Sequence, residues 1–213
     1  MRARPISPAS LIEELAERIT AVRPSSWARV AVDGAPAARP EALADALHDP
    51  LRLRGRAVLR VSAADFLRPA SLRLEFGRDD PDVYYTEWLD TGGLNREVLA
   101  PLEPGGSGRV LPALWDSAID RSARADYVRL PERGVLLLDG TLLLGRGLPL
   151  DYVVHLAMAP PALARRTAPE EQWTLPAYER YETEVAPTRV ADVAVRIDDP
   201  RHPALIESNS PTV

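Results

Sequence analysis

The sequence predicts an α/β protein built on a mostly parallel sheet with helices on both faces. Three observations carry that prediction. Apolar runs of strand length stand at Arg29–Asp33, Ala57–Ser62, Gly134–Asp139 and Tyr152–Met158, and they are nearly continuous rather than alternating, as strands covered on both sides require. Stretches with helical period or helical start signals lie between them, the order that βαβ crossovers impose. Gly34 and Gly140 each follow a strand directly, at the strand ends where sheets of this type bind ligands.

Each element has its own local reason. Leu11, Ile12, Leu15, Ala16 and Ile19 repeat at helical spacing, Ser10 and Glu13 form a capping-box pattern, and Pro24 closes the segment. The strand Arg29–Asp33 leads through a turn into a helix from about Pro40 to Leu47. Proline suits its first turn, and His48-Asp49-Pro50 marks its stop. After the strand Ala57–Ser62, residues Arg68–Tyr85 are rich in charge, proline and aromatics without a period, which predicts an irregular segment on the ligand side. A short helix Leu94–Leu99 ends at Pro101, Pro104, Gly105 and Gly106, and Arg109–Trp115 reads as an edge strand. Gly134–Asp139 is the most apolar strand. Tyr152–Met158, a helix Pro160–Arg166, a polar helix Ala177–Val185 and a last strand Asp192–Ile197 complete the series. The resulting division is an N-terminal helix over residues 1–24, one domain over 25–199 with a lid region at about 160–187, and a loosely held tail over 200–213.

A length of 213 residues suits one domain with a sizeable core, or one domain with a lid. The net charge of −5 argues against a nucleic-acid groove or an anionic membrane surface as partner. The absence of cysteine excludes disulfides, thiolate nucleophiles and sulfur-ligated metals. His48, His155 and His202 lie far apart without metal-ligand spacing, so no metal site is expected from them. His155, inside an apolar strand, is expected to be a hydrogen-bonded core residue. No signal-peptide pattern and no spanning apolar run is present, so the expected compartment is the cytoplasm.

The strand–turn–helix from Val30 to Leu47 is the frame on which a phosphate-cradling loop is built, and the loop motif is G-x-x-x-x-G-K-[ST]. Gly34 stands at its first glycine. The second glycine, the lysine and the hydroxyl residue fall on Arg39, Pro40 and Glu41, and the chain has no lysine to compensate, since all 26 of its Lys+Arg residues are arginine. Arg39 brings charge together with a Cβ and a long stem where glycine would let the backbone curl. Pro40 lacks both an ammonium group and a backbone N–H. Glu41 replaces a metal-gripping hydroxyl with a carboxylate, whose repulsion of a phosphate charge about 4 Å away is about 4 kcal/mol at an effective dielectric of ~20.

Further motifs follow in order. Val-Asp-Gly precedes the loop, Val-Ser-x-x-Asp-Phe follows the second strand, and Gly-Arg-Asp-x-Pro-x-x-Tyr-Tyr spans Gly77 to Tyr85. Leu-Leu-Leu-Asp-Gly ends at Gly140, and Arg180-Tyr181 is followed by Ala-Asp-Val-x-Val. From Arg29 to Asp199 this order resembles the uridine-kinase-like branch of the P-loop nucleoside kinases. The resemblance implies a P-loop NTPase-like three-layer fold. It also implies transfer of the ATP γ-phosphate to a nucleoside hydroxyl with Mg²⁺. The family's pattern places a carboxylate base where this chain has Ala64, with Asp65 next door, and an acidic or metal-associated residue at Asp139. Asp139 reads equally well as a strand-end turn residue before Gly140. Lid arginines that clamp phosphate fall on Arg165 and Arg166, a geometry guanidinium suits, although solvated helix ends carry arginine too.

The candidate residues are therefore Asp65 and Asp139 for catalysis. Gly34, Arg39, Glu41, Arg165 and Arg166 are the candidates around a cofactor. Phe66, Arg68, Arg78, Tyr84, Tyr85 and Trp88 are the candidates around a substrate, with aromatics to stack on a base and arginines to meet anions. Three functions remain open. One is a degenerate family member, a pseudoenzyme that binds a nucleoside or phosphate ligand with weak or no ATP phosphotransfer and acts by binding, regulation or assembly with a partner. Another is an active phosphotransferase using ATP and Mg²⁺, in which Arg39 or Arg165 supplies charge, Asp139 or Glu41 holds the metal and Asp65 is the base. The third is a structural subunit of a homo-oligomer with a vestigial pocket.

Overall fold

The computed structural model describes residues 2–207. Strand β1 (Arg2–Pro5) and helix α1 (Pro8–Ala21) come first, followed by β2 (Ala28–Gly34), α2 (Pro40–Leu53) and β3 (Val58–Ser62). Three short helices, α3 (Ala70–Arg73), α4 (Pro81–Glu87) and α5 (Thr91–Leu94), lead into four two-residue strands: β4 (Arg109–Val110), β5 (Trp115–Asp116), β6 (Arg121–Ser122) and β7 (Val128–Arg129). The chain then returns to the sheet as β8 (Val135–Gly140) and β9 (Tyr152–Ala157). Helices α6 (Pro160–Arg166), α7 (Leu175–Glu184) and α8 (Pro187–Val190) precede β10 (Val193–Arg196) and β11 (Ala204–Glu207).

Seven strands form one sheet in the order β1-β11-β10-β9-β2-β8-β3. The five from β10 to β3 are parallel, and β11 and β1 add antiparallel at one edge. This is an α/β fold with a mostly parallel central sheet. Side chains alternate across it. Val30, Val32, Val135 and Leu137 pack with Leu11, Leu15, Ile19, Leu47 and Leu51 of α1 and α2 on one face. Ala31, Leu136 and Leu138 pack with Phe66, Leu94, Val98 and Leu99 on the other. Because both faces are covered, β2 and β8 bury residues at every position up to the final Gly140, which is why they read as continuous apolar runs.

Several local expectations are corrected. The cap of α1 is Ser7, whose side chain accepts from the Ser10 amide at 3.1 Å, and not Ser10 itself. Helix α2 does not stop at Leu47 but runs through Pro50 to Leu53, because Leu51 is fully buried one turn beyond Leu47 on the same face. Burying a leucine contributes about 1.5–3 kcal/mol, enough to offset a proline placed in the last turns. The segment Arg68–Tyr85 holds two helices rather than irregular chain. Asp80 caps α4 through the Asp82 and Val83 amides, with Pro81 at its first position. Arg109–Trp115 is not an edge of the main sheet: β4 pairs with β7 and β5 with β6 in two separate ribbons. The tail beyond Pro200 is held as β11, with Leu205 only 3% exposed, while residues 208–213 lie outside the described residues. Among the described residues, no helix is long and apolar enough to cross a membrane.

Candidate functional site

A cavity of about 670 Å³ opens at the carboxyl ends of β2, β3 and β8. Gly34–Ala37, Pro40 and Glu41 form one wall, Ser62–Ala64 and Asp139–Leu142 form the floor, and Arg166–Ala168, Trp173 and Tyr178 close over it. Strand order creates this place, since loops from three neighbouring parallel strands diverge there.

The loop after β2 is compact. Pro36–Ala38 form one 3₁₀ turn, in which the Ala38 amide donates to the Ala35 carbonyl at 2.8 Å and the Arg39 amide to Pro36 at 2.9 Å. Those two N–H groups face inward, and Pro36 and Pro40 have none. Arg39 adopts φ 60° and ψ 57°, the left-handed conformation that glycine takes without strain. Its exposed guanidinium lies 3.4 Å from Glu41, whose side chain lines the cavity. Gly34 has a packing reason for being glycine: a Cβ there would stand 2.9 Å from Leu156 Cβ on β9.

Asp139 is nearly fully buried on the cavity floor. It accepts from Arg60 Nε at 2.7 Å and from Ser62 Oγ at 3.0 Å, and Arg60 also reaches Asp45 at 2.9 Å. Asp65 sits on the 3₁₀ turn Ala63–Phe66 and does not line the cavity, whereas its neighbour Ala64 does. Burial, followed by the Asp139 charge, pushes its carboxyl above the ordinary aspartate range, against an opposing pull from Arg60.

The aromatic wall is made by Tyr84, Trp88, Trp173 and Tyr178. Ring centroids are 5.0 Å apart for Tyr84–Trp88, 5.5 Å for Tyr84–Trp173 and 5.6 Å for Trp88–Trp173, within the range of favourable edge and tilted contacts. The Tyr84 and Tyr178 hydroxyls are 2.9 Å apart, and Thr141 Oγ1 donates to Tyr178 at 3.2 Å. Burial raises both phenols, so they remain neutral hydrogen-bonding groups.

Not every sequence-nominated residue reaches this cavity. Gly34, Glu41, Asp139, Arg166, Tyr84 and Trp88 line it. Phe66 does not, because it is fully buried in the hydrophobic core, where its ring meets no solvent. Arg68 lies outside, paired to Glu87 on α4. Arg78, Arg39 and Arg165 are exposed and outside the lining. Tyr85 turns away, since neighbouring helical positions point about 100° apart; it packs beneath the Arg180 guanidinium, 4.6 Å above its ring.

Trp173, which the sequence places in the lid as an added indole, and Arg146, which belongs to no motif, also line the cavity. Trp173 completes the aromatic wall. Arg146 stands between Gly145 and Gly147, whose φ values of 76° and 68° fold the loop back under the cavity. Its guanidinium donates to the Leu142 and Tyr85 carbonyls, and burial lowers its pKa without discharging a group this basic. Among the described residues, neither Arg146 nor Arg166 has a carboxylate within ion-pair distance; Arg166 donates to the Ile197 carbonyl at 3.0 Å. The only signal for Arg146 in the sequence was a glycine on each side.

His155 is buried and bonded to Asp33 at 2.7 Å, a hydrogen-bonded core residue as its strand position predicts. The described residues contain no group of three or more His, Cys, Asp or Glu side chains arranged to hold a metal.

No protein-family model matches the chain, and no curated protein matches it. Solved structures do. A possible uridine kinase from Bacillus stearothermophilus superimposes with a TM-score of 0.72 at 21% identity, covering 87% of this chain and 97% of that one. D-glycerate 3-kinase from Cryptococcus neoformans superimposes with a TM-score of 0.54 at 16% identity, covering 83% of this chain and 80% of that one. The chain thus has the fold of the P-loop small-molecule kinases, similar to uridine-kinase-like structures at low sequence identity.

Proposed function

We propose that this chain is a uridine-kinase-like protein that binds a nucleoside-sized aromatic ligand in the cavity at the ends of β2, β3 and β8 and does not transfer phosphate from ATP. One observation carries the reading. At the turn where a triphosphate would rest, two amides bond inward, two residues are prolines and a carboxylate faces the cavity. An anion there meets Glu41 without a lysine, a metal-binding hydroxyl or a full ring of amide donors. The residues present do not fit Mg²⁺·ATP in the family's manner. The aromatic wall and Arg146 do fit a planar ring with an electronegative edge.

Calorimetric titration tests this directly. The wild-type chain is expected to bind uridine and to give no measurable heat with ATP·Mg²⁺. Trp88→Ala is expected to weaken uridine by about 1–2 kcal/mol, the value of one base–aromatic stack. The combined change Arg39→Gly, Pro40→Lys and Glu41→Thr is expected to create nucleotide binding at least about tenfold tighter than wild type, or 1.4 kcal/mol. Micromolar ATP·Mg²⁺ binding by the wild-type chain, with ADP formed when uridine is added, would establish the active phosphotransferase instead.

A further inference from the structure

Arg60 lies on β3, the last strand of the main sheet, two residues before Ser62. That spacing puts both side chains on one face of the sheet. In the parallel register of β3 with β8, Ser62 stands opposite Asp139, and the three side chains meet. Arg60 Nε donates to one oxygen of Asp139 at 2.7 Å, and Ser62 Oγ donates to the other at 3.0 Å. Arg60 Nη1 donates to Asp45 on α2 at 2.9 Å. One guanidinium is thus clasped between two carboxylates, one from the sheet and one from the helix packed on it.

The two contacts are unequal. The Asp45 side chain is 63% exposed, and an ion pair in solvent contributes little. The Asp139 side chain is 3% exposed, and a buried carboxylate needs a charged partner. Arg60 is that partner. The Asp139 bond raises the Arg60 pKa against the cost of burial, and a guanidinium keeps its charge at any working pH. Ser62 and Asp139 line the cavity at the ends of β2, β3 and β8, whereas Arg60 does not. The positive charge therefore backs the floor without entering the cavity.

Asp139 is the position where the kinase resemblance places an acidic or metal-associated residue, and its surroundings do not fit a metal. Mg²⁺ is held through carboxylate lone pairs and gives up its waters reluctantly. Here each Asp139 oxygen already accepts a hydrogen bond, and its charge is balanced by the guanidinium. A divalent ion arriving from the cavity would meet the repulsion of Arg60 just beyond the carboxylate. Of the other acids in the lining, Glu41 contacts Arg39 at 3.4 Å, and Glu171 is exposed on the lid segment. We propose that Arg60 is a resident cation, standing against Asp139 where a divalent metal would stand, so that the cavity takes its ligand without a metal. This loss is separate from that of the phosphate turn: repairing the turn would leave Asp139 occupied.

Titration of the full chain with Mn²⁺, read from the electron paramagnetic resonance of the free ion, tests the replacement without any nucleoside. Arg60→Ala is expected to bind Mn²⁺ at least about tenfold tighter than wild type. Combining it with Asp139→Asn is expected to restore the wild-type value, and Asp139→Asn alone is expected to leave that value unchanged. If Arg60→Ala is too unstable to titrate, its melting temperature decides: MgCl2 is expected to raise it and to leave that of the double variant unmoved. A last arm rests on the nucleoside reading above: uridine is expected to bind wild type equally well in MgCl2 and in EDTA. No uridine binding in either would end that reading, while the Mn²⁺ titrations would still decide this one. Four results each overturn the proposal. They are an Arg60→Ala chain that gains neither Mn²⁺ affinity nor stability from MgCl2, tight Mn²⁺ binding kept in the double variant, Mn²⁺ affinity lost in Asp139→Asn alone, and uridine binding that requires MgCl2.

Discussion

Arg39 shows how one residue records a backbone that its own chemistry does not favour. It occupies the left-handed region at φ 60°, and the second glycine of the phosphate-loop pattern falls on the same position. The turn has kept a glycine-like path while losing the glycine. Arg39→Gly is therefore expected to stabilise the fold by about 0.5–1 kcal/mol, since the gain from relieved strain exceeds the extra chain entropy of glycine. The exposed contact to Glu41 at 3.4 Å contributes little against this. A denaturant midpoint below that of wild type would show that Arg39 is not strained. The same scale explains why Arg146 was invisible in the sequence and Phe66 was misleading. A motif position gives a residue's place in the chain, but the direction of its side chain depends on what packs around it. Phe66 follows the strand as the pattern requires, yet the core beneath the sheet takes up its ring. Arg146 belongs to no motif, yet two glycines with positive φ carry it under the cavity.

Between elements, one buried ion pair ties the start of β2 to the start of β9. Asp151 accepts from the Arg29 backbone amide, from Arg29 Nε and Nη2, and from Arg23 Nη1, each at 2.9 Å. Burial alone would raise its carboxyl, but the bonds from Arg29 and Arg23 outweigh that and hold it below the ordinary aspartate range. The charged form is thus favoured in the fold. Its stabilisation is present above the unfolded value of about 3.9 and is lost as pH falls through the lower folded value. Asp151→Asn is expected to flatten the loss of stability below about pH 4. At neutral pH it is expected to destabilise by about 3 kcal/mol, because Arg29 is left buried without its main partner. Urea titrations across pH check both parts; an acid limb as steep as wild type would refute the first. Elements with a strong local cause were legible in this way: α6 matches its predicted bounds and the five parallel strands fall within two residues of theirs. The short helices α3 and α4 were not, because each is too brief to show a period, although Asp80-Pro81 offered a cap signal.

At the scale of the whole molecule, the first and last described strands extend the sheet together. Among the described residues, strand β1 pairs only with β11, and β11 joins it to β10. Deletion of residues 200–213 is expected to lower stability by at least about 2 kcal/mol, chiefly through the lost burial of Leu205. It should also abolish hydrogen-exchange protection in Arg2–Pro5, which bonds to no other strand among the described residues. An unchanged urea midpoint would mean that this edge is dispensable. Periodicity and turn chemistry, acting over a few residues, determined the parallel α/β architecture and the altered phosphate turn, since buried strands must be apolar wherever they pack. Pairing of the first strand with the last and the aromatic wall of Tyr84, Trp88 and Trp173 were decided only by the folded chain. Those features join residues up to about two hundred positions apart, and no local pattern records which distant side chains will share a wall.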